Sequence, residues 1–478
     1  MNLARSLLAA AERSPQAEAI VEGDVRISYA ELRRLAARLA AGLERLGLGS
    51  GDRIAAIARN RHETALLFWG CQWLGAVLVP LSHRISTEEI DYCVDDSGAR
   101  TCFAADADLG ELLGEREHPG ALDLDDRAPA VILYTSGTTG RPKGVPRSHR
   151  AERAGALSQV VHHGYLPGDR TLGVMPLYHT MGDHSLLAMS LIGGCYVCQA
   201  DWDAGRALEL VERERLTSLY LAPTLFHDLC HHPDAVTRDL SSIETIGYAG
   251  ASMTSGLVER CAETFRPRLF FNHYGSTEIY TFSIQQDQVA KPGCAGRAAL
   301  NARLRLVRPD PAAGPDDLVA PGEEGQIVCD LASHEAFEGY WNRPDADAKA
   351  LRNGWYYTGD LGRLDPDGEL WIVGRVDDMI ISGGENIHPV EVEDALSHHP
   401  GVREVAVIGV TDERLGQRVV ACVVAEPGTT AEELDAFCLA GGELARFKRP
   451  REYRFVETLP RSPSGKVLRR RLREGDGS

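Results

Sequence analysis

Short apolar runs alternate with amphipathic stretches of helical period from the N-terminus to beyond Phe270, and this alternation limits the possible folds more than any other feature of the chain. An unbroken apolar run has to be buried on both faces, and helices crossing between such runs lay the strands parallel. Ser28-Tyr29-Ala30-Glu31 has the form of a capping box, after which Leu32, Leu35, Leu39, Leu43 and Leu46 recur at helical spacing up to Gly47, a stripe expected in the core. A strand is expected at Ile54 to Ile57, a helix over about Glu63 to Leu74 and a buried strand over Ala76-Val77-Leu78-Val79-Pro80, with Ser86 and Glu89 capping the next helix. The fold class read from this pattern is α/β, with a large N-terminal domain of parallel-rich αβα sheets.

After about residue 290 the texture changes to shorter alternating strands, Ala302 to Val307 and Gln326 to Cys329, set between Pro/Gly/Asp turns, which implies a β-rich subdomain. A polar break, Gly374-Arg375-Val376-Asp377-Asp378, separates expected strands at Leu370 to Val373 and Met379 to Ser382. From Val390 onward a helix, strands at Val405 to Val410 and Val419 to Val424, and a helix over Ala431 to Leu439 describe a small mobile α+β domain. The expected organisation is 1–375, a hinge at 376–378, and 379–478. No apolar run reaches the length of a membrane span, and the N-terminus reads as an amphipathic helix rather than a secretory signal, so a cytoplasmic location is expected.

With 51 basic and 69 acidic residues the chain carries -18, which repels nucleic acid unless basic residues are gathered. They gather between Arg446 and Glu474, where eleven Lys/Arg face three Glu for a local +8, leaving -26 on the remainder. That segment reads either as a solvated basic helix or as a site for an anionic, phosphorylated partner. The eleven cysteines are scattered, and Cys195 and Cys198 form a C-x-x-C without the second pair a zinc site needs, so they are read as reduced, small hydrophobes.

The strongest local signal is an apolar strand, Ala130 to Thr135, running into Ser136-Gly137-Thr138-Thr139-Gly140-Arg141-Pro142-Lys143-Gly144. Glycines let backbone approach a ligand closely, and hydroxyls with exposed N–H groups suit phosphate oxygens. The spacing is not that of a P-loop. Five further motifs follow in order: Met175-Pro176-Leu177-Tyr178-His179, Asn272-His273-Tyr274-Gly275-Ser276-Thr277-Glu278, Tyr357-Thr358-Gly359-Asp360, Gly374-Arg375-Val376-Asp377 and Pro463-Ser464-Gly465-Lys466. In these residues the chain resembles, over its whole length, the adenylate-forming superfamily of acyl-CoA and aryl-CoA ligases, carrier-loading adenylation domains and luciferases. The block from Gly374 to Pro389, with Phe447-Lys448-Arg449-Pro450 and Lys466 to Arg470, is most similar to 4-chlorobenzoate-CoA ligase and related aromatic-acid ligases.

The resemblance implies an AMP-forming acid-CoA ligase that uses ATP, Mg2+ and CoA with a small carboxylic acid, aromatic or otherwise cyclic; a homodimer is compatible with it. Thr135, Ser136, Gly137, Thr138, Thr139, Gly140 and Lys143 would hold the β and γ phosphates, and Glu278 with Thr277 would hold Mg2+, which takes only one or two carboxylates when phosphates complete its shell. Lys466 would bridge the substrate carboxylate and the α-phosphate. Asp360 and Arg375 would hold the ribose, Tyr274 would stack on adenine, and Asn272 with Gly250, Ala251 and Ser252 would read its edge. Asp377 would be the hinge about which the small domain turns. That turn would withdraw Lys466 and present Gly383 and Gly384, leaving room for pantetheine, while Arg84, Phe447, Arg449 and Arg451 receive the CoA nucleotide. Leu415 departs from the aromatic expected there. The acid pocket would be lined by Leu157, His179, Thr180, Met181, Tyr220, Ala249, His273, Gly275, Tyr280 and Thr281, with His179 beside the carboxylate. Polar groups in that wall, and Asp183 and His184 behind them, favour an acid with a polar substituent unless they pair with one another. The competing readings are a stand-alone enzyme that loads a carrier-protein phosphopantetheine, and a fatty-acid-CoA ligase.

Overall fold

The computed structural model describes residues 1–105, 107–135, 141–440, 444–461 and 467–474. Two mostly parallel sheets form the large domain. The first has nine strands, in the spatial order Arg297–Ala298, Ser283–Gln285, Leu269–Tyr274, Thr245–Ala249, Ser218–Leu221, Arg170–Gly173, Cys195–Cys198, Glu18–Glu22 and Val25–Ser28. Its middle is parallel and its edges antiparallel. The second has five, Thr101–Phe103, Arg53–Ala58, Val77–Ser82, Pro129–Thr135 and Lys143–Ser148, parallel except for the last. One core fills the space between the sheets, uniting Ile54, Leu78 and Val131 of one with Ile20, Tyr196 and Cys198 of the other. Helix His62–Leu74 lies in this core with nearly every residue buried, as a helix enclosed on all sides must.

The caps read from sequence are present. Ser28 Oγ accepts from the backbone N–H of Glu31, and Ser86 with Glu89 forms a reciprocal capping box. Leu46 departs from expectation: it is the C-cap of helix Tyr29–Arg45 and is 55% exposed, because the helix ends one residue before its stripe would carry it inward. Leu32, Leu39 and Leu43 are buried as expected, with Ala36 and Ala40 completing the face. Cys195 and Cys198 are buried in one strand, and burial pushes both thiols up, Cys195 to about 12, so both stay protonated.

A third, antiparallel sheet contains Leu304–Val307, Gly325–Asp330, Trp355–Leu364 and Leu370–Arg375. Its first strand begins two residues later than the alternation suggests. A fourth sheet, with Ile380–Ser382, Glu385–Ile387, Val402–Asp412, Gly416–Ala425 and Glu452–Phe455, packs helices Pro389–Ser397 and Ala431–Ala440 on one face, while Leu472 of helix Arg469–Glu474 reaches the other. The chain leaves the third sheet at Arg375 and enters the fourth at Ile380, through a turn in which Asp377 is exposed. The small domain touches the large one through Ser255, whose backbone N–H and hydroxyl both donate to Asp394 Oδ1 at 3.2 and 3.1 Å, and through His388 beside Glu324 at 2.8 Å.

Candidate active site

Strands Pro129–Thr135 and Lys143–Ser148 form an antiparallel hairpin in which Thr135 pairs with Lys143. Ser136, Gly137, Thr138, Thr139 and Gly140 at its tip lie outside the described residues, as does Lys466. Lys143 is half-buried, with its ammonium 4.1 Å from the centre of the Tyr340 ring, an arrangement in which the ring face attracts a cation. Burial pulls the Lys143 amine down from its ordinary value, and the negative charge of Glu278 opposes that pull. The Tyr340 hydroxyl in turn donates to Glu278 Oε1 at 2.6 Å.

Glu278 sits on a tight turn after strand Leu269–Tyr274. Ser276 Oγ accepts from the backbone N–H groups of Glu278 and Ile279 at 3.2 and 3.3 Å, and the Ser276 N–H donates to the Ile279 carbonyl at 3.0 Å. Gly275 is obligatory there: a Cβ would stand 1.7 Å from the Tyr280 carbonyl oxygen. Thr277 and Glu278 are both buried. Their donors are a hydroxyl and a carboxylate, hard oxygens of the kind Mg2+ prefers, and a single carboxylate is what that ion takes beside phosphates.

Asp360 joins the same surface from strand Trp355–Leu364. Its Oδ2 accepts from the Tyr274 hydroxyl at 2.6 Å and its Oδ1 lies 3.0 Å from Arg375. Tyr274 therefore has its hydroxyl tied to Asp360, with its ring 5.0 Å from that of Phe282. Asn272 donates its amide to the Cys294 carbonyl at 2.9 Å. Gly250, Ala251 and Ser252 are exposed at the carboxyl end of strand Thr245–Ala249, where open parallel sheets bind ligands.

The residues expected to line the acid pocket come from five elements. Leu157 is on helix His149–His162, Thr180 and Met181 begin helix Thr180–Ile192, Tyr220 and Ala249 end neighbouring strands, and His273, Gly275, Tyr280 and Thr281 flank the Glu278 turn. His179 is the N-cap of its helix, with Nδ1 accepting from the Met181 N–H at 3.2 Å. Several of the polar groups there pair with one another. Tyr280 donates to Gln159 Oε1 at 2.8 Å, His163 Nε2 and His273 Nδ1 are 3.0 Å apart, and His184 Nδ1 is 2.9 Å from Asp183 Oδ1. Burial holds His163 and His273 neutral, His273 with a pKa down to about 3. The pairing is partial, since Thr281 Oγ1 and Gln159 Nε2 are buried without a hydrogen-bond partner, so it narrows the ground for expecting a polar substituent on the acid without removing it.

Among the expected CoA residues, Arg84 lines a pocket with Arg59, His83 and Trp202 in the large domain. Gly383 and Gly384 lie on an exposed turn with φ of 62° and 89°, and a Cβ on Gly384 would meet nothing within 4 Å. Backbone conformation rather than crowding selects glycine there. Leu415 abuts Gly383, and its carbonyl accepts from the Gly383 N–H at 2.8 Å. Phe447 is 42% exposed, Arg451 is exposed, and Arg449 is paired with Asp435. The basic segment is less naked than its composition suggests, since Lys448, Arg461, Arg469 and Arg473 pair with Glu391, Glu404, Glu393 and Asp378.

A mostly parallel αβα platform followed by an antiparallel sheet and a small α+β domain is the architecture of an adenylate-forming enzyme. The chain belongs to the AMP-binding enzyme family: that model matches residues 7–341, and the model of the AMP-binding enzyme C-terminal domain matches residues 391–466. Within the family it falls among the AMP-forming acyl-CoA ligases. It is 35% identical to a feruloyl-CoA synthase of Amycolatopsis over 98% of this chain and 97% of that one. It is 33% identical to a long-chain-fatty-acid-CoA ligase of Mycobacterium tuberculosis, over 96% of both chains. A 4-chlorobenzoate-CoA ligase of Arthrobacter is 32% identical over 97% of this chain and 93% of its own length. The structure of the o-succinylbenzoate-CoA synthetase of Bacillus subtilis with its acyl-adenylate intermediate superposes with a TM-score of 0.87 at 30% identity, covering 98% of this chain and 97% of the other.

Proposed function

We propose that this protein activates an aromatic or other cyclic carboxylic acid with ATP and passes the acyl group to CoA. In the first half-reaction the acid's carboxylate oxygen attacks the α-phosphorus and pyrophosphate leaves. In the second, the CoA thiol attacks the acyl carbon and AMP leaves. The reading is supported by two contact series, Lys143 through Tyr340 to Glu278 and Tyr274 through Asp360 to Arg375, which set a cation beside a lone carboxylate and a second carboxylate beside a guanidinium.

Glu278 and Thr277 would hold Mg2+, which would offset the charge of the phosphates. Lys143 and the hairpin tip would bind the β and γ phosphates, and Lys466 would meet the charge that builds between carboxylate and α-phosphate. The nucleotide side would further use Asn272, Gly250, Ala251 and Ser252, and the CoA side Arg84, Gly383, Gly384, Phe447, Arg449 and Arg451. The rings of Tyr220, His273 and Tyr280, packed at centroid distances of 4.6 to 5.6 Å, favour a flat or cyclic acid against them. We place the hinge at Asp377 and the enzyme in the cytoplasm, where ATP and CoA are supplied.

No helix among the described residues is long and apolar enough to cross a membrane. A pyrophosphate-release screen over benzoic, hydroxybenzoic, cyclohexane-carboxylic and medium-chain fatty acids tests the acid class; release with fatty acids alone overturns it. Offering CoA and a phosphopantetheinyl carrier protein in parallel then decides the acyl acceptor. Asp377→Pro, which fixes φ near roughly -65°, should impair one half-reaction and spare the other; both rates unchanged would remove the hinge.

A further inference from the structure

Arg147 lies four positions past Lys143 on the same strand and is fully buried. Its Nε donates to Glu152 Oε1 at 2.7 Å, and its Nη1 donates to three backbone carbonyls, of Glu335 at 2.7 Å and of Thr277 and Glu278 at 3.2 Å each. The far oxygen of Glu152 stands 3.8 Å from His184 Nε2, and the His184 ring stacks on Tyr280 with centroids 3.7 Å apart and planes 12° from parallel. The Glu335 carboxylate accepts from the Thr281 N–H at 2.9 Å. One buried charged cluster therefore grips Thr277 to Thr281 at both ends, with Glu278 at one and the pocket walls Tyr280 and Thr281 at the other.

Glu152, Asp183 and His184 also lie within metal-ligand reach of one another, but the guanidinium already neutralises Glu152 and its like charge opposes a cation. Replacing a buried ion pair by apolar groups often leaves a fold equally stable, so holding the fold together does not by itself account for this one. What an apolar pair cannot supply is a planar guanidinium anchored to Glu152 through Nε while Nη1 donates to the carbonyls of Thr277 and Glu278.

We propose that Arg147 is a positioning residue for the Glu278 carboxylate: by donating to the Thr277 and Glu278 carbonyls it sets the turn that presents Glu278, with Glu152 as its anchor. This rests on the reading that Glu278 holds Mg2+. The experiment is Mg2+-dependent binding of a fluorescent ATP analogue to the full-length protein, without acid or CoA, alongside thermal melting. Arg147→Lys keeps the charge and loses the planar bridge from Nε at Glu152 to Nη1 at the turn carbonyls, and the Mg2+ concentration for half-maximal binding should rise about 10- to 100-fold, as for other residues that orient metal ligands. The double variant Arg147→Met/Glu152→Met leaves no charge buried alone, so it keeps the test available if the single variant melts early; the same rise is expected. Glu278→Gln is the reference. If Glu278→Gln raises the Mg2+ requirement while the folded Arg147 variants do not, the positioning role is wrong and the metal reading stands. If binding falls equally with and without Mg2+ in the Arg147 variants, Arg147 is structural only and the proposal is overturned. If Glu278→Gln leaves the requirement unchanged, the metal reading fails and takes the proposal with it.

Discussion

In the large domain, the groups assigned to the nucleotide are already held: Glu278 by the Tyr340 hydroxyl, Asp360 by Tyr274 and Arg375, and the Glu278 turn by Arg147. In the small domain, the residues assigned to CoA lie on open surface, with Gly383 and Gly384 on an exposed turn and Phe447 partly in solvent. The contrast has a physical reason. Groups that meet charge as it develops act best when fixed beforehand in a site that excludes water, because no reorganisation is then left for the moment of reaction. Under the proposed turn of the small domain, groups that serve only afterwards cannot be buried against the other domain in both arrangements.

The widest separation between the two regions should come from Lys466→Ala. Acid-dependent ATP/pyrophosphate exchange should fall about a hundredfold to a thousandfold, the cost of removing one preorganised contact, while supplied acyl-AMP is still converted to thioester. Equal loss in both assays would erase the division of labour between the two steps. A pair of glycine variants probes the same contrast sterically. Gly275→Ala has to displace the Tyr280 carbonyl, which a Cβ would approach to 1.7 Å. We expect a stability loss of about 1–3 kcal/mol or more by chemical denaturation, together with weakened Mg·ATP binding.

A pH test sharpens the buried side. Desolvation, then the charge of Glu152, push the Asp183 carboxyl up to about 7. The folded state thus holds a proton that the unfolded chain has already lost above its ordinary carboxylate range, so Asp183 costs stability as pH rises towards 7. Asp183→Asn, permanently neutral, should gain in melting temperature relative to the parent as pH goes from 5 to 8; a constant difference would mean the carboxyl is ionised throughout. The smallest effect is expected from Gly384→Ala, where a Cβ meets nothing and only the left-handed φ of 89° opposes it, about 1–2 kcal/mol. Thioester formation should then slow more than adenylation, and the reverse order would move Gly384 out of the CoA site.

Much of this was legible in the chain itself. The caps at Ser28 and Ser86, the buried runs at Ile54 and Val77, and the motifs around Thr135, Glu278 and Asp360 are local signals, each carried by residues a few positions apart. Tyr340 and Arg147 were not legible, since neither stands in a recognisable pattern: Tyr340 is 62 residues from Glu278, and Arg147 is 130 from Thr277. The one available hint for Arg147 was a basic residue just after Gly144-Val145-Pro146 with Glu152 five positions on, a pattern a surface pair would also produce. Leu46 shows the converse, an apolar residue in the right period left in solvent because the helix stops.

Periodicity and short motifs fixed the αβα layering, the family and the chemical type of each group assigned to the nucleotide, because those depend on neighbours along the chain. Which polar groups cancel one another did not follow from residue types. The pairing of Tyr280 with Gln159, of His163 with His273 and of Arg147 with three carbonyls depends on helices and turns brought together by burial, and only packing in three dimensions decides whether a buried polar atom is left to meet a ligand or is already spent on its neighbour.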